Sequence, residues 1–286
     1  MPSILITGGT GYFGQGMVKR LLSCDDMHRI CIYSRDEAKQ ATMRASLKDP
    51  YDRIRWFVGD VRDQSRLRRA LDGVEIVMHA AALKRVEVGE YNPAEMVKTN
   101  IMGTMNLIEA ATDAKVKKVV ALSTDKACHP VNAYGASKLM LEKLILGANN
   151  TRGQFGPMFA VTRYGNVAGS TGSVIPNWRA CIKAGAPLII TDPDATRFWM
   201  TLDQAIDLVI KTAQDMMGGE LAIPTLPAYR LGDLLDAIVV RMPDNVRTVG
   251  LGPGEKKHEL MDERGSDSSV ARRMTVEELR EALKSV

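Results

Sequence analysis

A chain of 286 residues is long enough to bury a sizeable core, as one large domain or one domain with a smaller lobe. Hydrophobic residues at 45% and charged residues at 25% are ordinary for a soluble globular protein. The net charge of +4 is spread without a basic run or interleaved aromatics, which argues against a nucleic-acid binder and still suits a phosphorylated ligand.

Cys24, Cys31, Cys128 and Cys181 are scattered, with no CxxC and no histidine pairing of the kind metals need, so a reduced, cytoplasmic setting and no metal are expected. No apolar run approaches the roughly 20 residues that cross a bilayer, and the amino terminus enters a strand directly, without a signal-peptide layout. No membrane and no nucleic-acid partner are therefore expected.

The first predicted strand, ILIT at 4–7, runs into TGGTGYFG at 7–14. Gly8, Gly11 and Gly14, with Thr10, Tyr12 and Phe13 between and beside them, follow a strand and open a helix. That context lets the backbone approach a pyrophosphate and aims unpaired helix N–H groups at it, although a tight strand-to-helix turn shows the same glycines. The second strand, RICIYS at 29–34, ends in Ser34 and Arg35, where a NAD site usually places an acid on the ribose diol. A hydroxyl and a guanidinium suit a 2′-phosphate, so NADP is expected over NAD; the alternative is a solvated loop arginine.

After the third strand, IRWFV at 54–58, Asp60 and Val61 stand where a carboxylate can accept from an adenine amino group and an aliphatic can cover the ring. The fourth strand, EIVMHAA at 75–81, ends in Ala80, Ala81 and Ala82, small enough for a cofactor backbone to lie close. Lys84 comes next and reads either as a site cation or as an exposed surface lysine.

The fifth strand, KKVVALST at 117–124, delivers the most chemical segment, LSTDKACHPVNAYGASK at 122–138. Tyr134 and Lys138 are four apart and share a helix face, where an ammonium favours the phenolate; the bland reading is a helix-face pair without function. Asp125 and Lys126 lie upstream, at the strand end where loops meet ligands. The group can remove a hydroxyl proton and carry out a second proton transfer on the same substrate. His129, before Pro130, reads as structural, and His28, His79 and His258 show no ligand spacing.

The sixth strand is MFAVTR at 158–163. Apolar, largely β-branched runs separated by helical patterns imply βαβ units and an α/β fold: a dinucleotide-binding, doubly wound parallel sheet of the Rossmann kind. The expected division is 1–168 for the NAD(P)-binding domain, with elements returning from about 192–216, and 169–286 mainly for a smaller substrate-binding lobe. Beyond the glycine-rich stretch at 169–172 the expected elements are a helix near 176–184, PLIIT at 187–191, helices near 202–216 and 231–241, and a final helix whose Thr275 and Glu278 form a capping-box pattern.

The glycine pattern with YGASK resembles the extended short-chain dehydrogenase/reductase superfamily. More narrowly, STDKACHPVNAYGASK, SVIPNW at 173–178, ITDPDATRFWMTLDQAIDLV at 190–209 and PGEKKHELM at 253–261 resemble the UDP-N-acetylglucosamine 4,6-dehydratases. With tyrosine at 134, the likeness is nearest to the inverting enzymes that open pseudaminic acid biosynthesis.

The resemblance implies that Tyr134, supported by Lys138, takes a proton from the sugar 4-hydroxyl as that carbon is oxidised. Lys126 then removes the carbon-5 proton, Asp125 protonates the departing 6-hydroxyl, and Thr124 bonds the 4-oxygen. For Lys126 to be neutral, burial beside Lys84 is expected to lower its pKa. By the same match Met102 and Gly103 line the cofactor, Asn166 and the run Val167, Ala168, Gly169 to Thr171 bridge cofactor and substrate, and Val174, Thr191 and Arg197 face the nucleotide half. Arg197 also reads as a cation packing the lobe. A UDP-sugar substrate and a homo-oligomer are implied.

Two departures stand out. Gly252 occupies the position of a family arginine expected on the diphosphate, leaving Arg247, Arg272 and Arg273 as the replacements the carboxy-terminal region offers, and the chain has less beyond residue 262 than that family usually carries. A sugar 4-epimerase or ketoreductase needs Tyr134 and Lys138 but not Asp125 and Lys126, and a non-catalytic NADP-sensing regulator needs none of the four.

Overall fold

In chain order the strands are β1 (Ser3–Thr7), β2 (Arg29–Ser34), β3 (Ile54–Val58), β4 (Ile76–His79), β5 (Lys118–Thr124), β6 (Met158–Tyr164), β7 (Asn166–Val167), β8 (Leu188–Ile190), β9 (Thr196–Met200), β10 (Leu221–Ala222), β11 (Ala228–Arg230) and β12 (Val246–Thr248). They are seen in a computed structural model that describes residues 2–24, 28–239 and 246–286. The six strands expected from the apolar runs are all present, with ends displaced by at most a few residues.

Seven strands form one parallel sheet in the order β10-β6-β5-β4-β1-β2-β3. The order reverses between β1 and β4, where Thr7 is in register with His79. Helices leaving these two strands go to opposite faces, so a crevice opens beyond the strands' carboxyl ends, the usual ligand position in such sheets. All five residues of β1 are buried: Ile4 and Ile6 join one core cluster with Ile30, Ile32 and Val120, and Leu5 joins the other with Cys31, Val77 and Val119. Burial on both faces is why these strands read as continuous apolar runs.

The helix Leu202–Asp215 packs on this sheet. Its Ile206 and Val209 pack in the same cluster as Met17 and Leu21 of the helix Tyr12–Leu22, and Arg20 of that helix pairs with Asp203 and Asp207. β10 then adds the seventh strand beside β6.

A separate apolar cluster builds the lobe from Ile175, Trp178, Trp199, Tyr229, Leu234 and Leu279. The helix Val174–Ala184 starts earlier than expected, with Pro176 in its first turn, where the missing N–H costs nothing. The helix Leu231–Ile238 is shorter than the expected 231–241, whose last two residues lie outside the described residues. Thr275 and Glu278 do form a capping box.

Candidate functional site

A cavity of about 620 Å³ runs from the glycine turn after β1, past the carboxyl ends of β4 and β5, to the loop after β7. At the turn, an added Cβ on Gly14 would stand 2.5 Å from Gly9 Cα, and Gly8 holds φ +66 against Ala81, so only glycine lets backbone meet backbone here. Gly11 caps the following helix without a side-chain hydrogen bond, which leaves the first helix N–H groups for a ligand. This cradle fits the pyrophosphate of a dinucleotide.

Gly8, Thr10, Gly11, Tyr12, Phe13, Gly14, Ser34, Arg35, Val61, Ala80, Ala82 and Lys84 all line the cavity. The Thr10 and Ser34 hydroxyls are 2.6 Å apart, and Arg35 Nη1 is 3.5 Å from Asp60 Oδ2. Asp60 itself is off the wall: its carboxylate accepts from the Arg62 backbone N–H at 3.0 Å and from Arg62 Nη2 at 2.7 Å. Burial pushes the Asp60 pKa up, but the hydrogen bonds from Arg62 outweigh it and hold the group low.

At the other end, Thr124 closes β5 and a tight turn over Asp125–Ala127 folds back beneath the helix Ala133–Thr151, which is capped by the Asn132 side chain. Thr124, Lys126, Tyr134, Lys138, Asn166 and Val167 line the cavity, and Asp125 lies fully buried behind them. Lys126 Nζ donates to Asp125 Oδ1 at 3.1 Å and to Asn166 Oδ1 at 3.2 Å, and stands 3.1 Å from Glu259 Oε1. The Thr124 hydroxyl donates to the same Asp125 oxygen at 2.9 Å, while Asp125 Oδ2 and Glu259 Oε2 are buried without a hydrogen bond.

Two expectations are corrected here. Burial alone lowers the Lys126 pKa, but Asp125 and Glu259 outweigh it and hold the amine protonated, above the ordinary lysine range; Lys84 is not among the groups that shift it most. Tyr134 is likewise not lowered overall: burial pushes it up to about 12, against the pull of Lys126 and the Thr124 hydroxyl. Lys138 gives the phenol no resolved help. Its amine donates to the Leu122 carbonyl, and burial, opposed by Glu142, brings its pKa down to about 8. Asp125 moves the other way, pushed up by burial against the pull of Lys126.

Ser170 and Thr171 of the expected run also line the cavity, and the remaining expected residues do not reach its wall. Met102 is 51% exposed on the outer surface, and Gly103 lies against Val61 Cγ2. Ala168 accepts from the Tyr12 hydroxyl at 3.0 Å, and Gly169 packs under Val286. Val174 opens its helix and Thr191 donates to Glu255 at 3.3 Å. Arg197 takes the lobe-packing alternative: its side chain is 6% exposed, with Nη2 3.0 Å from Glu255 and Nε 4.0 Å from Glu259. Arg247, Arg272 and Arg273 are off the wall too.

Glu259 and Arg85 escaped the sequence reading. Glu259 lay in view inside PGEKKHELM, whose dense charge was the available signal. Among the described residues no cluster of His, Cys, Asp or Glu is arranged for a metal, and no helix is long and apolar enough to cross a membrane.

The chain matches the family model described as polysaccharide biosynthesis protein over residues 4–278. It belongs to that family. Within the polysaccharide biosynthesis family it is 48% identical, over 91% of its length and 77% of the relative's, to the UDP-N-acetylglucosamine 4,6-dehydratase (inverting) of Campylobacter jejuni subsp. jejuni serotype O:2. It is 41% identical, with the same coverage, to the UDP-glucose 4-epimerase of Rickettsia rickettsii. Among solved structures, Pen from Bacillus thuringiensis superposes with a TM-score of 0.94 at 35% identity, covering 100% of this chain and 98% of that one. The DesIV dTDP-glucose 4,6-dehydratase of Streptomyces venezuelae, at 23% identity, shares the fold with a TM-score of 0.82 over 99% of this chain and 96% of that one.

Proposed function

We propose that this protein is a nucleotide-sugar 4,6-dehydratase that converts UDP-N-acetylglucosamine to a UDP-4-keto-6-deoxy sugar with inversion at carbon 5, using NADP. The observation that carries the reading is the Asp125–Lys126 pair, 3.1 Å between Nζ and Oδ1, beside Tyr134 on one cavity. The name of the Campylobacter relative supports it.

A nicotinamide dinucleotide held by Gly8, Gly11, Gly14, Ser34 and Arg35 would supply reversible hydride transfer between carbon 4 and carbon 6 of the sugar. Thr124 and Lys126 favour the Tyr134 phenolate, which in that form takes the proton of the sugar 4-hydroxyl. The resulting ketone acidifies the hydrogen on carbon 5. At rest the amine and carboxylate form an ion pair, and a proton passed from Nζ to Oδ1 makes a neutral amine and a carboxylic acid in one step. Burial favours that neutral pair, because it penalises both charges. Lys126 then takes the carbon-5 proton while Asp125 protonates the departing 6-hydroxyl, which restores the ion pair as water leaves. A proton from solvent, delivered to carbon 5 from the opposite face, inverts that centre, and the proton held by Tyr134 returns to solvent.

Ser34 and Arg35 on the wall support NADP over NAD. Four free cysteines support a reducing, cytoplasmic setting, and exposed Met102, Met105 and Met140 on neighbouring helical segments support a homo-oligomer.

The Rickettsia relative's name favours a second reading, a 4-epimerase. That reaction uses Tyr134 and leaves Asp125 and Lys126 no hydroxyl to expel. Lys126→Ala separates the two: it is expected to abolish water loss from UDP-N-acetylglucosamine, read by mass spectrometry, while NADP binding persists. Undiminished dehydration in the variant would place the base elsewhere.

A further inference from the structure

Six basic side chains line the cavity, Arg35, Lys39, Lys84, Arg85, Lys126 and Lys138, against two carboxylates, Asp36 and Glu87. Such a lining suits more negative charge than the pyrophosphate at the glycine turn supplies. Arg35 and Lys39 belong to the β2 end, and Lys126 and Lys138 to the turn and helix after β5. That leaves Lys84 and Arg85 on the remaining stretch of wall.

Arg85 is held in place from both sides. Asn100, fully buried in a π-turn over Val97–Met102, donates to the Leu83 carbonyl and accepts from the Leu83 N–H, both at 2.9 Å, which pins the strap two residues before the guanidinium. Arg85 then caps the short helix Val86–Tyr91. Across the cavity, a Cβ on Gly172 would stand 3.0 Å from Arg85 Nη2 and 3.4 Å from both Cζ and Nε, so the guanidinium lies along the bare backbone there. Among the described residues Arg85 forms no ion pair. Next to Gly172, the Ser173 hydroxyl is buried without a partner and begins the helix Val174–Ala184. The turn at 252–256, where Gly252 supplies no cation, meets the same edge: a Cβ on Gly254 would lie 3.6 Å from Val86 Cγ1.

We propose that Arg85, laid on Gly172 at the cavity edge, is the cation that grips the diphosphate of a nucleoside-diphosphate substrate, with the Ser173 hydroxyl and the following helix start as neutral partners. The inference deepens the nucleotide-sugar reading and rests on it. A planar guanidinium pairs with two phosphate oxygens at once, which a lysine does not reproduce.

The test is calorimetric titration of the full chain with UDP, uridine and NADP separately. Arg85→Gln is expected to weaken UDP by roughly ten- to hundredfold, with Arg85→Lys recovering part of the loss and Arg272→Gln, at a surface pair with Glu278, changing nothing. Uridine and NADP affinities are expected to stay as in the parent. Unchanged UDP affinity in Arg85→Gln, or an equal loss for uridine or NADP, overturns the inference alone. A parent chain that binds no UDP removes the nucleotide-sugar reading and this inference together.

Discussion

Lys126 has two buried carboxylates within 3.1 Å, one its sequence neighbour and the other drawn from the carboxy-terminal segment. Their joint field, rather than desolvation, decides the charge of the amine, because a buried cation with two close anions is stabilised more than burial penalises it. In the proposed reaction Glu259 acts through Lys126. Glu259→Gln removes one of the charges that raise the lysine pKa, so the proton that Lys126 and Asp125 share is lost to solvent at lower pH. The alkaline limb of the kcat against pH profile, where that shared proton leaves, is expected to move to lower pH in this variant. A limb at the parent position would show that Glu259 only packs the lobe. The sequence reading named Lys126 but expected its pKa lowered, and the structure raises it because the second carboxylate arrives through folding.

At the scale of elements, the turn Asp125–Ala127 and the helix Ala133–Thr151 must press together for the phenol to feel the amine. Gly135 makes this contact: a Cβ there would collide with the Lys126 carbonyl. Gly135→Ala is expected to force turn and helix apart, costing roughly 1–3 kcal/mol in unfolding free energy and most of the turnover. Wild-type denaturation together with wild-type turnover would show that the contact gives way freely. The six main strands were legible because burial on both faces demands unbroken apolar runs. β9 was not, since TRFWM mixes aromatics with a buried, ion-paired arginine, and neither its period nor its composition announces a strand. The partners of Arg197 were hidden for the same reason: they come from residues 255 and 259.

Across the whole molecule, a buried ion pair fixes an arginine that ties the sheet to the carboxy-terminal segment. Arg163 on β6 pairs with Glu142 on the helix Ala133–Thr151 and donates to the Met261 carbonyl at 3.0 Å, two residues beyond Glu259. Removing one partner strands the other charge inside the fold. Glu142→Gln is expected to lower the unfolding free energy by roughly 3–5 kcal/mol in denaturant titration, and a loss well under 1 kcal/mol would mean that Arg163 reaches water instead. The glycine turn and the segment after β5 were readable as local strings with their own strand and helix contexts. The closing of the site by Glu259 was not, because it depends on this long-range fastening.

The central claim is that acid, amine and phenol act on one sugar ring. Its most direct test is to incubate the protein with UDP-N-acetylglucosamine in deuterated water and follow the products by NMR. The account predicts a 4-keto-6-deoxy sugar carrying deuterium at carbon 5, with ring couplings that report inversion there. Recovery of the 4-epimer alone, or of a dehydrated product without deuterium at carbon 5, would contradict it.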